Sequence, residues 1–250
     1  MNDHNEQSDL DDVERLHIAV VVAGHSGDID FVRAHLDHSS GRIRASALNA
    51  LERLGRLDDH LLTSRAHDAD PAVRRRVAEI SARHSDVDLL PLLNDLDPLV
   101  VEMAAWACGE QLQGRDDTET LDEHASRSSD DHDERNQTYE RVIRRLIELA
   151  ESHDDPLVRE SAVAALGAIG DERALGAVLA GCSDKPAIRR RAVLALAQFS
   201  GPDVDAALHR ALEDRDWQVR QAAEDVLGPA ALSVRGALDD EENSEQNEQH

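Results

Sequence analysis

Six copies of one apolar pattern recur along the chain, and each copy predicts an amphipathic helix. The copies are numbered from an anchor position, and the six anchors are Arg44, Arg74, Val101, Arg159, Arg189 and Arg220. A β-branched apolar residue precedes every anchor, and small or apolar residues follow at the third and sixth positions after it. Offsets of −1, +3, +6 and +7 lie on one face of an α-helix. A weaker copy surrounds Leu16.

The beginning of each repeated helix carries its own signal. Asp70, Asp97, Asp155 and Asp216 stand four residues before their anchors, and Pro follows the first three. An Asp side chain accepts an otherwise unpaired N–H group of the first turn, and Pro has no N–H group to lose there. Lys185 occupies the equivalent position before Arg189, so that helix is predicted to be less well capped.

A second, Leu-rich helix separates successive copies, for example in segments 86–93, 140–150, 174–180 and 203–212. Each repeat is thus expected to comprise two helices of about 10 to 14 residues. No segment reads as a strand. The pattern therefore predicts an all-α fold, a right-handed α/α superhelix (a HEAT/armadillo-like solenoid) of about seven helix pairs over residues 13–238.

Acidic residues are concentrated in three segments of the 250-residue chain, whose net charge is −25. Segments 1–12, 114–137 and 239–250 are rich in Asp, Glu, Ser, Asn and Gln, and nearly free of large apolar residues. Because such segments bury too little apolar surface to offset chain entropy, we predict that all three are disordered. The middle segment is expected to expand the turn between the two helices of one repeat.

Two of the repeats resemble a known family. Residues 158–171 (VRESAVAALGAIGD) and 219–228 (VRQAAEDVLG) are similar to the HEAT-like repeat first described in phycobilisome bilin lyases. The resemblance covers roughly residues 13–238 and implies a stack of helix pairs whose second helices line a concave face. It also implies an alternative function, a bilin-lyase-like enzyme or enzyme subunit, although no catalytic residue carries over to this chain.

The repeated Arg residues have a structural interpretation. In HEAT stacks such residues typically form a ladder of Asp–Arg pairs between repeats, and the planar guanidinium can pair with both oxygens of one carboxylate. The triplets Arg74-Arg75-Arg76 and Arg189-Arg190-Arg191 lie in first helical turns, where the helix dipole disfavours unpaired cations. Either nearby acidic residues compensate these triplets or they bind phosphate, and we favour compensation.

Arg141, Arg144 and Arg145 are the candidate partner-binding residues. They share one face of a predicted second helix, opposite its apolar stripe, and that face is expected to line the concave groove. One hypothesis is that they bind an acidic partner and that segment 114–137 is a built-in competitor that screens them. The favoured interpretation is that this segment is a solvated insertion that touches nothing.

Other chemistry finds little support in the sequence. Two Cys residues exclude a disulfide scaffold, and no Gly-rich phosphate loop or recognisable nucleophile arrangement occurs. None of the 13 His residues is followed by Glu, whereas HEAT-like di-iron hydroxylases depend on His-Glu dipeptides. A loose cation site at His124, His132 and Asp133 is less favoured than a solvated charge run. Cys108 is expected to be buried and Cys182 more exposed.

The expected function is a protein-binding or scaffold module, and the sequence favours no enzymatic activity. The expected partner is another protein or peptide. A net charge of −25 and an aromatic content of 2% argue against nucleic acid, and no apolar run is long enough for a membrane. We expect no cofactor and no metal, a cytoplasmic location and a monomer.

Overall fold

The computed structural model describes the backbone of residues 3–113 and 129–228, and the side chains of residues 12–113, 133 and 135–228. Within these ranges all regular structure is helical and no strand occurs, which confirms the predicted all-α fold. The helices group into two compact units. Unit 1 contains residues 3–112 and 129–145, and unit 2 contains residues 146–228.

Seven first helices carry the repeated apolar pattern: α1 (Asp3–Ser26), α3 (Gly41–Arg53), α5 (Pro71–Ser81), α7 (Pro98–Leu112), α9 (Pro156–Ile169), α11 (Pro186–Ala195) and α13 (217–228). Second helices alternate with them: α2 (Ile29–Ala34), α4 (Asp59–Arg65), α6 (Leu90–Leu93), α8 (Ser129–Ser152), α10 (Leu175–Gly181) and α12 (Pro202–Ala211). The described residues thus hold six helix pairs and one further first helix.

Each first helix packs along the next one within its unit. In unit 1, α1 packs on α3, α3 on α5 and α5 on α7, and in unit 2, α9 packs on α11. The buried face is the one that the repeat predicted. In α3 the residues at offsets −1, +3, +6 and +7 are Ile43, Ala47, Ala50 and Leu51, and all four are buried. Because small residues such as Ala47 and Ala50 occupy part of this face, the helices can approach closely.

The helix starts follow the capping signals in the sequence. The side chain of Asp70 accepts a hydrogen bond from the N–H group of Ala72, and Asp155 accepts one from Leu157. Asp97 and Asp216 accept equivalent hydrogen bonds in the first turns of α7 and α13. Lys185 makes no side-chain capping bond to α11, as predicted.

Two segments predicted to be disordered are partly helical. Helix α1 begins at Asp3, inside segment 1–12, and α8 begins at Ser129, inside segment 114–137. Acidic residues at the N-terminal end of a helix interact favourably with the helix dipole, a contribution that an argument from composition does not count. Residues 114–128 and segment 239–250 lie outside the described residues, so the prediction of disorder there stays a prediction.

The second helices differ in length from the expected 10 to 14 residues. Helix α6 spans four residues, whereas α8 spans 24. Segment 86–93 was predicted to be helical throughout, yet the helix begins only at Leu90, whose N–H group donates to the side chain of Asp88 at 2.9 Å. Pro91 in its first turn suits a helix start.

Among the helices of the described residues, none combines the length and the apolarity needed to cross a bilayer.

Candidate functional site

The anchor Arg residues form the predicted ladder between repeats. Arg159 donates from Nε to Oδ2 of Asp184 at 2.7 Å and from Nη2 to Oδ1 at 3.0 Å. The same two-bond arrangement joins Arg189 to Asp214 in unit 2, and Arg44 to Asp68 and Arg74 to Asp95 in unit 1. Each Asp stands five or six residues before the next anchor, so each pair links one repeat to the following one.

Each Arg of the ladder also donates a hydrogen bond to a backbone carbonyl group of its own repeat. Arg159 donates from Nη1 to the carbonyl oxygen of His153 at 2.7 Å, and Arg74 donates from Nη1 to the carbonyl oxygen of Asp68 at 2.8 Å. Arg220, the last anchor, makes the equivalent bond to the carbonyl oxygen of Asp214 at 2.8 Å. The hydrogen bond from Arg159 holds the pKa of Asp184 below its ordinary value, against the opposing effect of burial. The anchor Arg residues are therefore occupied by structural contacts.

The two Arg triplets are compensated at two of their three positions. Arg74 and Arg189 belong to the ladder. Arg76 pairs with Glu79 at 2.6 Å, and Arg191 lies 3.7 Å from Glu160. The middle residues, Arg75 and Arg190, are exposed. The structure thus supports compensation as the main role of these triplets and leaves one exposed cation in each.

Helix α8 places the three candidate partner-binding residues in two different environments. Arg141 and Arg144 are exposed one turn apart, as predicted. Arg145 is half-buried, and its Nε donates to the carbonyl oxygen of Leu93 at 3.3 Å. The expectation that all three share an exposed face is therefore wrong for Arg145, because its side chain turns towards the C-terminal end of α6.

Contacts within unit 1 fix the position of α8. Val142 and Ile143 are buried, at 4% and 1% exposure. Near the start of the helix, Arg135 pairs with Asp86 at 2.7 Å. This pair was not predicted from the sequence, because Arg135 falls in segment 114–137, which was expected to be disordered. Arg135 and Arg145 contact unit 1 at two points, and the exposed Arg141 and Arg144 lie between these points along the helix.

A His residue between two carboxylates is a further cluster that the sequence did not reveal. In unit 1 the ring of His84 lies with Nδ1 2.6 Å from Asp59 and Nε2 3.0 Å from Glu52. Burial disfavours the charged ring, but hydrogen bonds to Glu52 and Asp59 outweigh it and raise the pKa of His84. Arg83 also pairs with Glu52, at 3.1 Å. The protonated ring can donate to both carboxylates, so the cluster links three segments of unit 1.

Both Cys residues lie in environments that disfavour the thiolate. Cys108 is buried at 1% exposure, and burial raises its pKa. Cys182 is less buried, and burial raises its pKa to about 11. A reactive nucleophile usually has a lowered pKa. The described side chains also include no group of three His, Cys, Asp or Glu residues arranged to hold a metal ion. His124 and His132 lie outside the described side chains.

Helix pairs of about 30 residues, first helices packed in register and an Asp–Arg ladder between repeats define a helical-repeat protein. A family model described as HEAT repeats matches residues 134–187, and one described as PBS lyase HEAT-like repeat matches residues 188–214. The chain is a HEAT-like repeat protein.

Comparison with solved structures supports the fold. The chain is similar to the crystal structure of an engineered protein from the Northeast Structural Genomics Consortium, with a TM-score of 0.53 and 19% sequence identity. The similarity covers 80% of this chain and 95% of the engineered one. No curated protein matches the sequence significantly. At this identity the likeness concerns the fold alone.

Proposed function

We propose that the protein is a binding module that recognises an acidic segment of a partner protein through the second-helix face of unit 1. The observation that carries the proposal is the pair Arg141 and Arg144, which are exposed one turn apart on α8 and have no carboxylate partner among the described side chains. HEAT-like repeat stacks commonly serve as protein-interaction scaffolds, since their extended faces suit peptides.

Arg145 supports the site indirectly in this proposal. Its hydrogen bond to Leu93 ties α8 to α6 and fixes the rotation of α8 about its axis. Near the start of α8, Arg135 makes a second contact with unit 1, an ion pair with Asp86. Because these two contacts order the backbone of α8 before binding, a docking partner would have to immobilise only the side chains of Arg141 and Arg144.

A bilin-lyase-like activity is the alternative that the family resemblance raises. The match to the PBS lyase HEAT-like repeat covers residues 188–214. That segment includes the buried face of α11 and the ladder residues Arg189 and Asp214. The matched residues are thus those that build the stack, and a shared stack does not imply a shared reaction. The binding function is therefore the better supported proposal.

Affinity purification with the full chain tests the proposal. Wild-type protein is compared with Arg141→Glu/Arg144→Glu, and with the control Arg190→Glu/Arg215→Glu, which changes two exposed Arg residues of unit 2. The expected result is at least one acidic protein that is recovered with wild type and the control but lost with the α8 variant. Its affinity should fall with rising salt, because exposed ion pairs are screened. Identical recoveries with all three proteins would contradict the proposal.

The role of segment 114–137 as a competitor is a separate hypothesis. Residues 114–128 lie outside the described residues, and its test is a deletion. Removing 114–128 leaves α8 intact and should tighten binding of the acidic partner at low salt. An unchanged affinity would exclude competition and leave the binding proposal standing.

A further inference from the structure

The outward face of α7 is apolar. Leu99 and Trp106 are 47% and 40% exposed, and Met103 between them is half-buried. At spacings of four and three residues, the three side chains form a stripe along the helix, about 10 Å long. Helix α5 has Ala72, Arg76 and Glu79 at the equivalent positions. The stripe thus distinguishes α7 from the neighbouring helix on which it packs.

An exposed cation stands beside this stripe, and the internal repeat locates it. In unit 2, Glu160 of α9 and Arg191 of α11 lie 3.7 Å apart across two neighbouring first helices. Glu160 is the first residue after the anchor of α9, and Arg191 is the second residue after the anchor of α11. In α5 and α7, which pack in the same way, the equivalent residues are Arg75 and Met103. The equivalence therefore places Arg75 next to the thioether of Met103, where unit 2 has an ion pair.

Charge on the two edges of the stripe differs. Arg75 lies on the α5 edge, is exposed and has no acidic partner within the described part of the chain. Arg83, two residues after the end of α5, is 64% exposed and pairs with Glu52, so Arg75 is the cation that this edge offers. By helical spacing, Glu102 lies on the opposite edge of α7. An acidic group beside an apolar ligand is thus favoured on the α5 edge, next to Arg75.

We propose that the outer face of α5 and α7 binds an amphipathic helix of a partner protein. Apolar residues of that helix would cover Leu99, Met103 and Trp106, and an adjacent Asp or Glu would pair with Arg75. Trp, Met and Arg are residue types that protein interfaces favour. At physiological ionic strength the Debye length is about 8 Å. The charge of Arg75 therefore acts on a ligand docked beside it more strongly than the charges of acidic residues farther away. This surface is separate from the face of α8 and does not rest on that proposal.

A helical-peptide display library tests the surface without a presumed partner. The full-length protein is the bait, and the counter-selection uses Leu99→Gln/Trp106→Gln, which changes only exposed side chains and should leave the fold intact. The expected result is enrichment of peptides with apolar residues at i, i+4 and i+7 and an excess of Asp and Glu. A failure to enrich any peptide against the variant, or enrichment of basic peptides, would overturn the proposal.

Fluorescence of Trp106 then tests the geometry with one selected peptide. The chain has two Trp residues, so Trp217→Phe leaves Trp106 as the reporter. Binding should shift its emission to shorter wavelength, and Arg75→Glu should weaken binding about fivefold. Arg190→Glu, the same change at the equivalent position of α11, and Arg141→Glu/Arg144→Glu on α8 should leave the affinity unchanged.

Three outcomes of the fluorescence experiment would overturn the proposal. One is an affinity unaffected by Arg75→Glu, and another is an affinity equally reduced by Arg190→Glu. The third is an emission shift that develops with protein concentration in the absence of peptide, because the occupant would then be a second copy of the chain.

Discussion

Gly167 of α9 lies so close to Ala195 of α11 that no side chain fits between them. A Cβ atom built on Gly167 would lie 2.4 Å from the Cβ and 2.8 Å from the Cα of Ala195. The same relationship joins Gly24 to Ala50 in unit 1. In both pairs the glycine is the eighth residue after one anchor and the alanine the sixth after the next. This Gly–Ala contact therefore recurs in both units and sets the distance between neighbouring first helices.

Replacement of this glycine should loosen unit 2. Gly167→Ala improves helix propensity, but the added methyl group meets the backbone of α11, and overpacking of this kind costs about 1–3 kcal/mol. We expect a net loss of stability in urea unfolding followed by circular dichroism. The matched control is Gly176→Ala in α10, where an added Cβ meets nothing within 4 Å and should stabilise by about 0.5–1 kcal/mol. A shift in the same direction for both variants would refute the packing argument.

The ladder pair Arg189–Asp214 should be the most costly of the polar contacts to break in unit 2. Arg189 is 6% exposed and makes two hydrogen bonds to Asp214, at 2.8 and 2.7 Å. Arg189→Gln leaves the carboxylate without its charged donor, so we expect a loss of about 1.5–3 kcal/mol. Arg190→Gln changes the adjacent exposed residue and should stay within about 0.5 kcal/mol of wild type. If Arg189→Gln and Arg190→Gln lowered the free energy of unfolding equally in chemical denaturation, the ladder pair would contribute nothing to stability.

Acid should weaken the same pair. The hydrogen bond from Arg189 lowers the pKa of Asp214 below its ordinary value of 3.8, although burial opposes this. Because the folded pKa is the lower one, the stabilisation is present above the ordinary value and is lost as pH falls through the folded pKa. Asp214→Asn should therefore destabilise the protein at pH 7 more than at pH 3. A difference independent of pH in thermal melts would argue against this assignment.

His84 should produce a pH dependence of the opposite sign in unit 1. Its contacts with Glu52 and Asp59 raise its folded pKa above the ordinary 6.5. The stabilisation is thus complete below the ordinary value and disappears as pH rises through the folded pKa. His84→Gln should cost more stability at pH 5.5 than at pH 9, and an NMR titration should show the ring losing its proton above pH 6.5. A titration midpoint below 6.5 would contradict the cluster.

The two Cys residues should react at different rates in the native protein. Cys182 is only partly buried and Cys108 is 1% exposed, so a thiol reagent should modify Cys182 first. Burial raises the pKa of Cys182 to about 11, so the reaction at pH 7 should still be slow compared with a free thiol. Cys182→Ser should remove the faster phase. Two equal rates before unfolding would show that the helix register around Cys108 is wrong.

The sequence by itself determined the repeat, the buried face and the helix starts. Each of these depends on residues close together in the chain. Ile43, Ala47 and Ala50 share a helix face because of their spacing, and Asp155 caps α9 because it stands next to Pro156. The resemblance to HEAT stacks also predicted an Asp–Arg ladder, and the anchor is Arg in five of the six copies.

Only the tertiary structure decided which residues far apart in the chain contact one another. The pairing of Arg135 with Asp86, and of Arg145 with Leu93, depends on how α8 packs in unit 1. That packing separates Arg145 from Arg141 and Arg144, which sequence spacing had placed together. Likewise, Leu99, Met103 and Trp106 form an exposed stripe beside Arg75 because two first helices lie side by side. Spacing in the chain orders residues along one helix, whereas contacts between helices set the environment of each side chain.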